Sequence, residues 1–445
     1  MKVIADLEVH SKYSRAVSSN MDVLNIAEWA AKKGIDLVGT GDFTHPVWLR
    51  ELEANLEEAG EGVYRLKSQI SNQKLVSKVR FLLTSEVSCM YIHKGKGRRV
   101  HLMIYLPNFN FVKKFNQELT SHGANLFSDG RPIIGLKLAQ VAEIALSLTE
   151  KALVIPAHIW TPWFGFYGQM SGYDSLTEAF GSFEEKILAV ETGLSSDPAM
   201  NWKIAELKDR KIVSFGDAHS PQKLGREATC FELPEISYTN IYKAMEASND
   251  EKKGQPKIVY TIEFYPEEGK YHYTGHRKCK VVYSPSEAKK LGLTCPVCGR
   301  SLTLGVASRV EELAEQDIKL KSKIDKHKVR FILDEDEKKT PYIMLVPLME
   351  IISEAFGVGV ATKAVLETYE KMILQFGSEF ALLLETEVEE IEKKFGKTIA
   401  EGISRVRGGD IFIKPGYDGV FGEVKIWRSE KEIPFEKTLG QRTLF

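Results

Sequence analysis

The chain has 445 residues, of which 43% are hydrophobic and 27% are charged, and its formal net charge is −1. These values are typical of a folded globular protein, and they exclude a uniformly basic coat for nucleic acid. No apolar run approaches the roughly 20 residues of a membrane helix, and residues 1–6 form a strand-like start without a signal peptide. We therefore expect a cytoplasmic protein of two or three domains with no membrane partner.

The predicted elements divide the chain into five segments. Residues 1–235 alternate strand-like runs with helix-like runs, which is typical of an α/β fold with mostly parallel strands. Residues 236–256 read as a helix and a surface linker, and 257–305 as short strands and turns around three cysteines. Residues 306–430 are mainly helical in pattern and are predicted to contact DNA, and 431–445 form a tail.

Histidines and carboxylates recur at the ends of the strand-like runs in the first segment. The candidate metal ligands are Glu8, His10, Asp42, His45, Glu86, His101, His158, Glu191, Asp217 and His219. Strands that deliver such side chains to a common mouth are typical of a barrel with its site at the carboxyl ends. Carboxylates and imidazoles together bind divalent metals, so we predict a centre for Zn²⁺, Mg²⁺ or Mn²⁺ with Glu86 as the bridging ligand.

An aromatic run follows His158 and includes Trp160, Trp163 and Phe164. Proline and glycine within it indicate a loop, which can either pack into the core or form the walls of a pocket for an unstacked base. Ser195 and Ser196, a few residues after Glu191, are further candidates for the base pocket or for DNA contacts.

Three of the five cysteines lie together in the second half of the chain. His276, Cys279, Cys295 and Cys298 have the spacing of a zinc site, with His272 as an alternative to His276. Four protein ligands leave no open position for chemistry, so we predict one structural Zn²⁺ in a small insert. Basic residues beside the cysteines favour either contacts with a phosphate backbone or a purely architectural role.

The strand-end motifs resemble the PHP family of metal-dependent phosphoesterases. The resemblance implies a distorted (β/α)7 barrel, here with a zinc-binding insert and a mainly helical C-terminal domain. It implies catalysis by Asp217, His219 and Glu86, and its implied metal ligands are His10, Glu86, His101, His158, Asp217 and His219. Glu8 stands where the family usually has histidine, which shifts the metal preference toward Mg²⁺ or Mn²⁺.

The order of the segments, together with local strings such as His10 to Ala16, Gly39 to Pro46 and Cys295 to Gly299, is similar to the endonuclease Q family of DNA-repair enzymes. The resemblance implies damaged DNA as partner and cleavage of its backbone on the 5′ side of deaminated bases (hypoxanthine, uracil, xanthine) or at abasic sites. A phosphoesterase for a small phosphorylated metabolite is the alternative, and a non-catalytic DNA or clamp adaptor is a third hypothesis.

The end of the chain resembles peptides that bind the replication sliding clamp. Gln441, Leu444 and Phe445 carry this resemblance. A terminal peptide of five residues is also compatible with a tail that binds nothing.

Overall fold

The computed structural model describes residues 1–70, 75–246 and 254–428. Within these ranges the chain has a mixed α/β fold, with one ten-stranded sheet, one four-stranded sheet, three two-stranded sheets and a helical C-terminal region. None of the helices in the described ranges is long and apolar enough to cross a membrane.

The strands of the described part are short, and most have three to five residues. They are β1 Lys2–Asp6, β2 Leu37–Gly39, β3 Leu56–Gly60, β4 Val63–Leu66, β5 Arg80–Leu82, β6 Thr84–His93, β7 Lys96–Tyr105, β8 Ile133–Ile134, β9 Leu153–Pro156, β10 Ala189–Glu191, β11 Lys211–Val213, β12 Ala228–Glu232, β13 Lys257–Glu263, β14 Thr274–His276, β15 Val281–Tyr283, β16 Leu320–Ile324, β17 Arg330–Asp334, β18 Tyr342–Met344, β19 Phe412–Lys414 and β20 Glu423–Lys425.

The helices begin and end at residues that suit helix termini. In α1 the Asp22 carboxylate accepts from the backbone N–H of Asn25, and Gly34 closes the helix in the left-handed conformation at φ 86°. The α-helices are α1 Val23–Lys33, α2 Pro46–Asn55, α3 Phe109–Ser121, α4 Leu138–Leu148, α5 Leu176–Phe180, α6 Pro198–Trp202, α7 Tyr238–Glu246, α8 Pro285–Leu291, α9 Val306–Leu313, α10 Leu348–Phe356, α11 Lys363–Phe376, α12 Glu379–Leu384, α13 Val388–Phe395 and α14 Lys397–Gly408.

The large sheet has the strand order β16-β17-β18-β13-β12-β1-β2-β5-β4-β3. Strands β1, β2 and β5 run parallel, whereas β12 is antiparallel to both β1 and β13. The sheet is therefore mixed, not mostly parallel. Because β13 and β18 extend it, the second half of the chain continues the sheet that the first half begins.

The predicted (β/α)7 barrel is not confirmed, since the strands of the described residues form separate sheets and no closed barrel. The reason lies in β6 and β7, which pair antiparallel over ten residues each. A tight turn joins them, with Lys94 at φ 49° and Gly95 at φ 76°, as expected for a two-residue hairpin. A closed (β/α) barrel needs a helical crossover at this point, and the hairpin leaves no room for one.

One buried ion pair joins the helical C-terminal region to the α/β part. Lys33 at the end of α1 lies 2.7 Å from the Glu379 carboxylate in α12, and the two side chains are only 2% and 4% exposed. The same carboxylate accepts from the backbone N–H of Leu348 at 3.0 Å. These contacts connect α1, α10 and α12, and loss of either side chain of the pair would leave the other charge buried without its partner.

Candidate metal centre and nucleic-acid site

Two groups of side chains that can hold a metal ion lie together, some at the ends of strands and others, Glu86 and His101, within β6 and β7. One group consists of Glu86, His101 and His158, and the other of His10, Asp217 and His219. Within each group the ligand atoms lie within 4.8 Å of one another. We call the two groups together the strand-end cluster.

Glu86 in β6 links the two groups. Its Oε1 lies 2.5 Å from His101 Nδ1 and 3.1 Å from His158 Nε2, and its Oε2 lies 3.1 Å from His10 Nε2. Burial alone would raise the pKa of Glu86, but Arg131 and His101 hold it well below its usual range. The carboxylate is therefore ionised and stands where a bridging ligand would stand.

Three residues of the site have left-handed backbone conformations. Asp42, His158 and Asp217 have φ values of 48°, 31° and 43°. This backbone conformation is uncommon for residues other than glycine. Where it is strained, it persists only because the surrounding structure fixes it. The fold thus holds these three side chains at strand ends in orientations that a relaxed backbone would not give.

Glu8 and Glu191 lie buried beside the cluster. The Glu191 Oε2 atom accepts from the backbone N–H of His158 at 2.7 Å, whereas in the described part of the chain the Glu8 carboxyl and Glu191 Oε1 have no hydrogen-bond partner other than each other. Burial, together with the neighbouring Glu191, raises the pKa of Glu8 well above its usual range. Unpartnered buried carboxylates are costly, and nearby cations would remove that cost. The donor set therefore fits divalent metal ions.

Asp42 and His45 belong to neither ligand group found in the described ranges. Asp42 accepts from His10 Nδ1 at 3.0 Å and from the hydroxyls of Ser11 and Ser14 at 2.7 and 2.8 Å. A carboxylate in this position fixes the orientation of a metal-binding imidazole. His45 caps α2, and its ring stacks on Tyr13. Direct metal binding by Asp42 and His45 stays a prediction.

Sequence reasoning missed Arg131. Its Nη1 lies 3.0 Å from Glu86 Oε2, and its side chain is 24% exposed, so one guanidinium borders the cluster. Arg131 lies in an irregular loop after Gly130, where no periodicity marks it. Gly130 itself is required, because a Cβ there would lie 2.3 Å from the Asp42 carboxylate.

A cavity of about 390 Å³ opens beside the cluster. Trp163, Phe164 and Ser195 line it, together with Tyr271 and His272 from the second half of the chain. The ring of Phe164 lies 4.7 Å from that of His101, so the cavity adjoins the metal-ligand group.

The other two candidates for the base pocket, Trp160 and Ser196, are buried away from this cavity. The Trp160 indole donates to Asn201 at 2.8 Å, and the Ser196 hydroxyl donates to the Thr192 carbonyl at 3.0 Å. Both are core contacts. An irregular loop has no periodicity from which to predict which side chains point inward. The sequence therefore does not show that Trp160 packs in the core while Phe164 lines the cavity.

A second set of metal-type ligands lies near the β14–β15 hairpin. His276, Cys279, Cys295 and Cys298 have ligand atoms within 4.8 Å of one another, and we call them the cysteine cluster. The alternative ligand, His272, lines the cavity instead. Burial raises the pKa of the Cys295 thiol, but the backbone N–H groups of Cys298 and Val297 and the His276 ring bring it down to about 6. The set thus favours a thiolate that fits a zinc ion.

The clamp-type peptide cannot be placed in the same way. Gln441, Leu444 and Phe445 lie outside the described residues.

A buried set of carboxylates and imidazoles beside an aromatic cavity is the arrangement of a metal-dependent enzyme. The chain is similar to the crystal structure of the lesion-specific endonuclease PfuEndoQ from Pyrococcus furiosus, with 32% identity, a TM-score of 0.80 and coverage of 97% of this chain and 98% of that chain. It is equally similar to endonuclease Q in complex with a 27-mer duplex that carries an abasic lesion at the active site, with 33% identity, a TM-score of 0.78 and coverage of 97% and 99%. The chain belongs to the endonuclease Q family.

Two further similarities concern an archaeal relative. Residues 347–410 match the family described as the MJ0043 C-terminal domain. The uncharacterized protein MJ0043 of Methanocaldococcus jannaschii is 34% identical over 294 residues, which are 63% of this chain. The chain spans about a third of the length of that relative, since the match covers 34% of it.

Proposed function

We propose that the protein is a metal-dependent DNA-repair endonuclease that hydrolyses the DNA backbone on the 5′ side of deaminated bases (hypoxanthine, uracil or xanthine) or at abasic sites. One observation carries the proposal: nearly the whole chain aligns with a lesion-specific endonuclease and with a relative bound to a duplex that has an abasic lesion at its active site. No comparable observation favours the alternative, a small phosphorylated metabolite as substrate.

The strand-end cluster would hold the catalytic metals, Zn²⁺, Mg²⁺ or Mn²⁺. Glu86, His101 and His158 would hold one ion, and His10, Asp217 and His219 another, with Glu86 between them. Bound divalent ions supply positive charge that stabilises a phosphate under attack, and they make water a better nucleophile. Bound cations would favour the ionised forms of the nearby Glu8 and Glu191, and oxygen ligands of this kind suit hard cations such as Mg²⁺ and Mn²⁺.

The protein's own residues would hold this site in one protonation pattern. The Asp42 carboxylate accepts from His10 Nδ1, which directs Nε2 of His10 toward Glu86 and Asp217, 3.1 Å from an oxygen of each, where a metal ion would take the place of a proton. His219 Nδ1 lies 2.7 Å from the Asp217 carbonyl oxygen, so Nδ1 carries the proton and Nε2 the lone pair. We assign catalysis to Asp217, His219 and Glu86 because these groups would surround the scissile phosphate.

The cavity lined by Trp163, Phe164 and Ser195 would receive the extruded damaged base. Deaminated bases pair poorly, so their extrusion costs less than that of a normal base. Aromatic walls can stack on any base, whereas the Ser195 hydroxyl can donate to a base carbonyl. Selection of the lesion would thus depend on the cavity, and cleavage on the strand-end cluster.

The cysteine cluster would bind one structural Zn²⁺. The basic side chains of Arg277, Lys278, Lys280 and Arg300 surround it in the sequence and can contact DNA phosphates. On this proposal residues 1–235 are the PHP-type phosphoesterase domain, 236–256 a connecting helix and linker, 257–305 the zinc-binding domain and 306–430 a DNA-contacting region. Clamp binding by residues 431–445 stays a prediction from the sequence.

The test is a nicking assay with the full-length protein and Mg²⁺ or Mn²⁺. A duplex that contains one deoxyinosine, one deoxyuridine or one abasic site should be cut on the 5′ side of the lesion, while the unmodified duplex stays intact. A parallel assay with p-nitrophenyl phosphate tests the small-molecule alternative. If no lesion duplex is nicked but the small phosphate ester is hydrolysed, the proposal is wrong.

A further inference from the structure

Four aromatic side chains form a row that leads from the core to the surface beside the strand-end cluster. Trp48 is fully buried, and the next rings outward are Tyr13, His45 and Phe127. The ring centroids are 6.3 Å apart for Trp48 and Tyr13, 4.5 Å for Tyr13 and His45, and 6.1 Å for His45 and Phe127. We call these four residues the aromatic row. Its outermost ring, Phe127, is 65% exposed.

Hydrogen bonds fix the segment that carries Phe127. The backbone N–H of Phe127 donates to the Asn125 side chain at 3.2 Å, and the Ser128 hydroxyl donates to the Asn125 carbonyl at 2.7 Å. The backbone N–H of Gly130 donates to the Tyr13 carbonyl at 3.0 Å. Single exposed apolar side chains are common on protein surfaces, but this ring has an edge-to-face contact with His45, which itself stacks on Tyr13.

The aromatic row adjoins the metal ligands on the side of Asp42. The backbone N–H of His45 donates to the Asp42 carbonyl at 2.9 Å, and the Asp42 carboxylate holds His10. Four residues after Phe127, the guanidinium of Arg131 reaches Glu86. The cavity adjoins the cluster through a different ligand, since Phe164 packs against His101. Phe127 and the cavity are therefore two separate apolar features that border one cluster.

We propose that Phe127 stacks on the base pair next to the damaged nucleotide once that nucleotide has left the helix. Extrusion of one nucleotide removes a stacking partner from its neighbour, and a flat aromatic ring can replace that partner. The rest of the aromatic row keeps Phe127 in position, so little side-chain freedom is lost on binding. This inference rests on the proposed endonuclease function, which it extends with a DNA-stacking residue.

The experiment compares nicking of one lesion strand as a duplex and as a single strand. Phe127→Ala should lower kcat/KM for the deoxyinosine duplex about tenfold or more, the loss expected for one base–aromatic stack. For the single strand the loss should stay below about threefold, because no base pair remains to be stacked on. Phe127→Trp, which keeps a flat ring, should retain the duplex activity within about threefold.

The control is Ile92→Ala, which shortens another exposed apolar side chain (76% exposed) outside the aromatic row and should leave both activities unchanged. Thermal unfolding of each variant confirms that it is folded. The inference would be overturned if Phe127→Ala lost the same activity on the duplex and on the single strand, or lost none on either. It would also be overturned if Phe127→Trp lost as much duplex activity as Phe127→Ala. A wild-type protein that nicks neither substrate would instead refute the proposed function.

Discussion

The strand-end cluster and the cysteine cluster are both sets of metal-type ligands, but they depend on the fold in opposite ways. His10, Glu86 and His101 are buried on or just after strands that a large sheet and a hairpin hold in place. Cys298 is exposed, and the two-stranded sheet beside its cluster has only three residues in each strand. The surrounding fold positions the first cluster, whereas we expect the second, which has little core around it, to depend on a bound metal for its stability.

This difference predicts where metal loss has its effect. Removing a ligand from the strand-end cluster should abolish activity and leave the fold intact, because backbone hydrogen bonds and the apolar core hold these strands together. Removing a ligand from the cysteine cluster should unfold the local segment first. The four predictions that follow test this contrast, beginning with the largest expected effect.

Cys295→Ser should remove one zinc ion per chain and unfold the segment around β14 and β15. A bound structural zinc contributes about 10–16 kcal/mol in small zinc peptides, far more than a three-residue hairpin can supply. Zinc analysis and amide hydrogen exchange would show the loss of one ion and of protection in residues 274–303, with protection of the ten-stranded sheet retained. Cys230→Ala, which changes a buried free cysteine outside the cluster, is the control and should keep the zinc. Unchanged zinc content in Cys295→Ser would contradict the assignment.

Asp217→Asn should lower nicking by at least about 1000-fold, since loss of even one stabilising hydrogen-bond donor can cost about 100- to 1000-fold. Asparagine keeps the volume and tolerates the φ of 43° at this position, so the change removes mainly the negative charge. Single-turnover nicking and thermal unfolding would show a large loss of activity with little change in melting temperature. The matched control is Asp336→Asn, a carboxylate that is 65% exposed. Retained activity would show that Asp217 holds no catalytic metal.

The sequence predicted both ligand sets because their signals are local. His276, Cys279, Cys295 and Cys298 follow a zinc spacing, and most of the strand-end residues, though not His101, follow an apolar run. Arg131 and the aromatic row gave no such signal, since residues far apart in the chain meet only in the folded structure. The predicted barrel was not confirmed for a related reason. The turn at Lys94 and Gly95 that pairs β6 with β7 lies inside a basic run, where no pattern in the sequence indicated a hairpin. Pairing of strands is decided by such turns and by tertiary packing, not by hydrophobic pattern.

Glu263 is a buried carboxylate that belongs to neither the strand-end cluster nor the cysteine cluster. Glu263 in β13 accepts from the hydroxyls of Ser214 and Thr261, and burial raises its pKa from 4.5 to about 8. The folded state therefore binds its proton more tightly than the unfolded state. The free energy of unfolding should fall as the pH rises from about 4.5 to about 8, by on the order of 3 kcal/mol.

Urea unfolding at several pH values between 5 and 8 measures this slope. Glu263→Gln should make it less steep, because the amide has no proton to lose, while Asp6 and Glu267, whose pKa values burial raises to about 7, keep part of the slope. The control is Glu232→Gln in the neighbouring strand β12, whose exposed carboxylate pairs with Lys257 and should leave the slope unchanged. A slope that is the same in wild type and in Glu263→Gln would refute a buried, protonated Glu263.

Asp42→Asn should have the smallest effect of the four, about a 10- to 100-fold loss of nicking, as is typical when a partner of a metal ligand is changed. The Asp42 carboxylate holds the His10 ring together with the hydroxyls of Ser11 and Ser14, and asparagine keeps one acceptor oxygen and tolerates the φ of 48°. Metal content should stay unchanged, because Asp42 acts through His10. If Asp42→Asn instead matched Asp217→Asn in activity loss and released one ion per chain, Asp42 would be a ligand itself. Ser14→Ala removes only one of the hydrogen bonds to the Asp42 carboxylate. Its loss of nicking should therefore be smaller than that of Asp42→Asn.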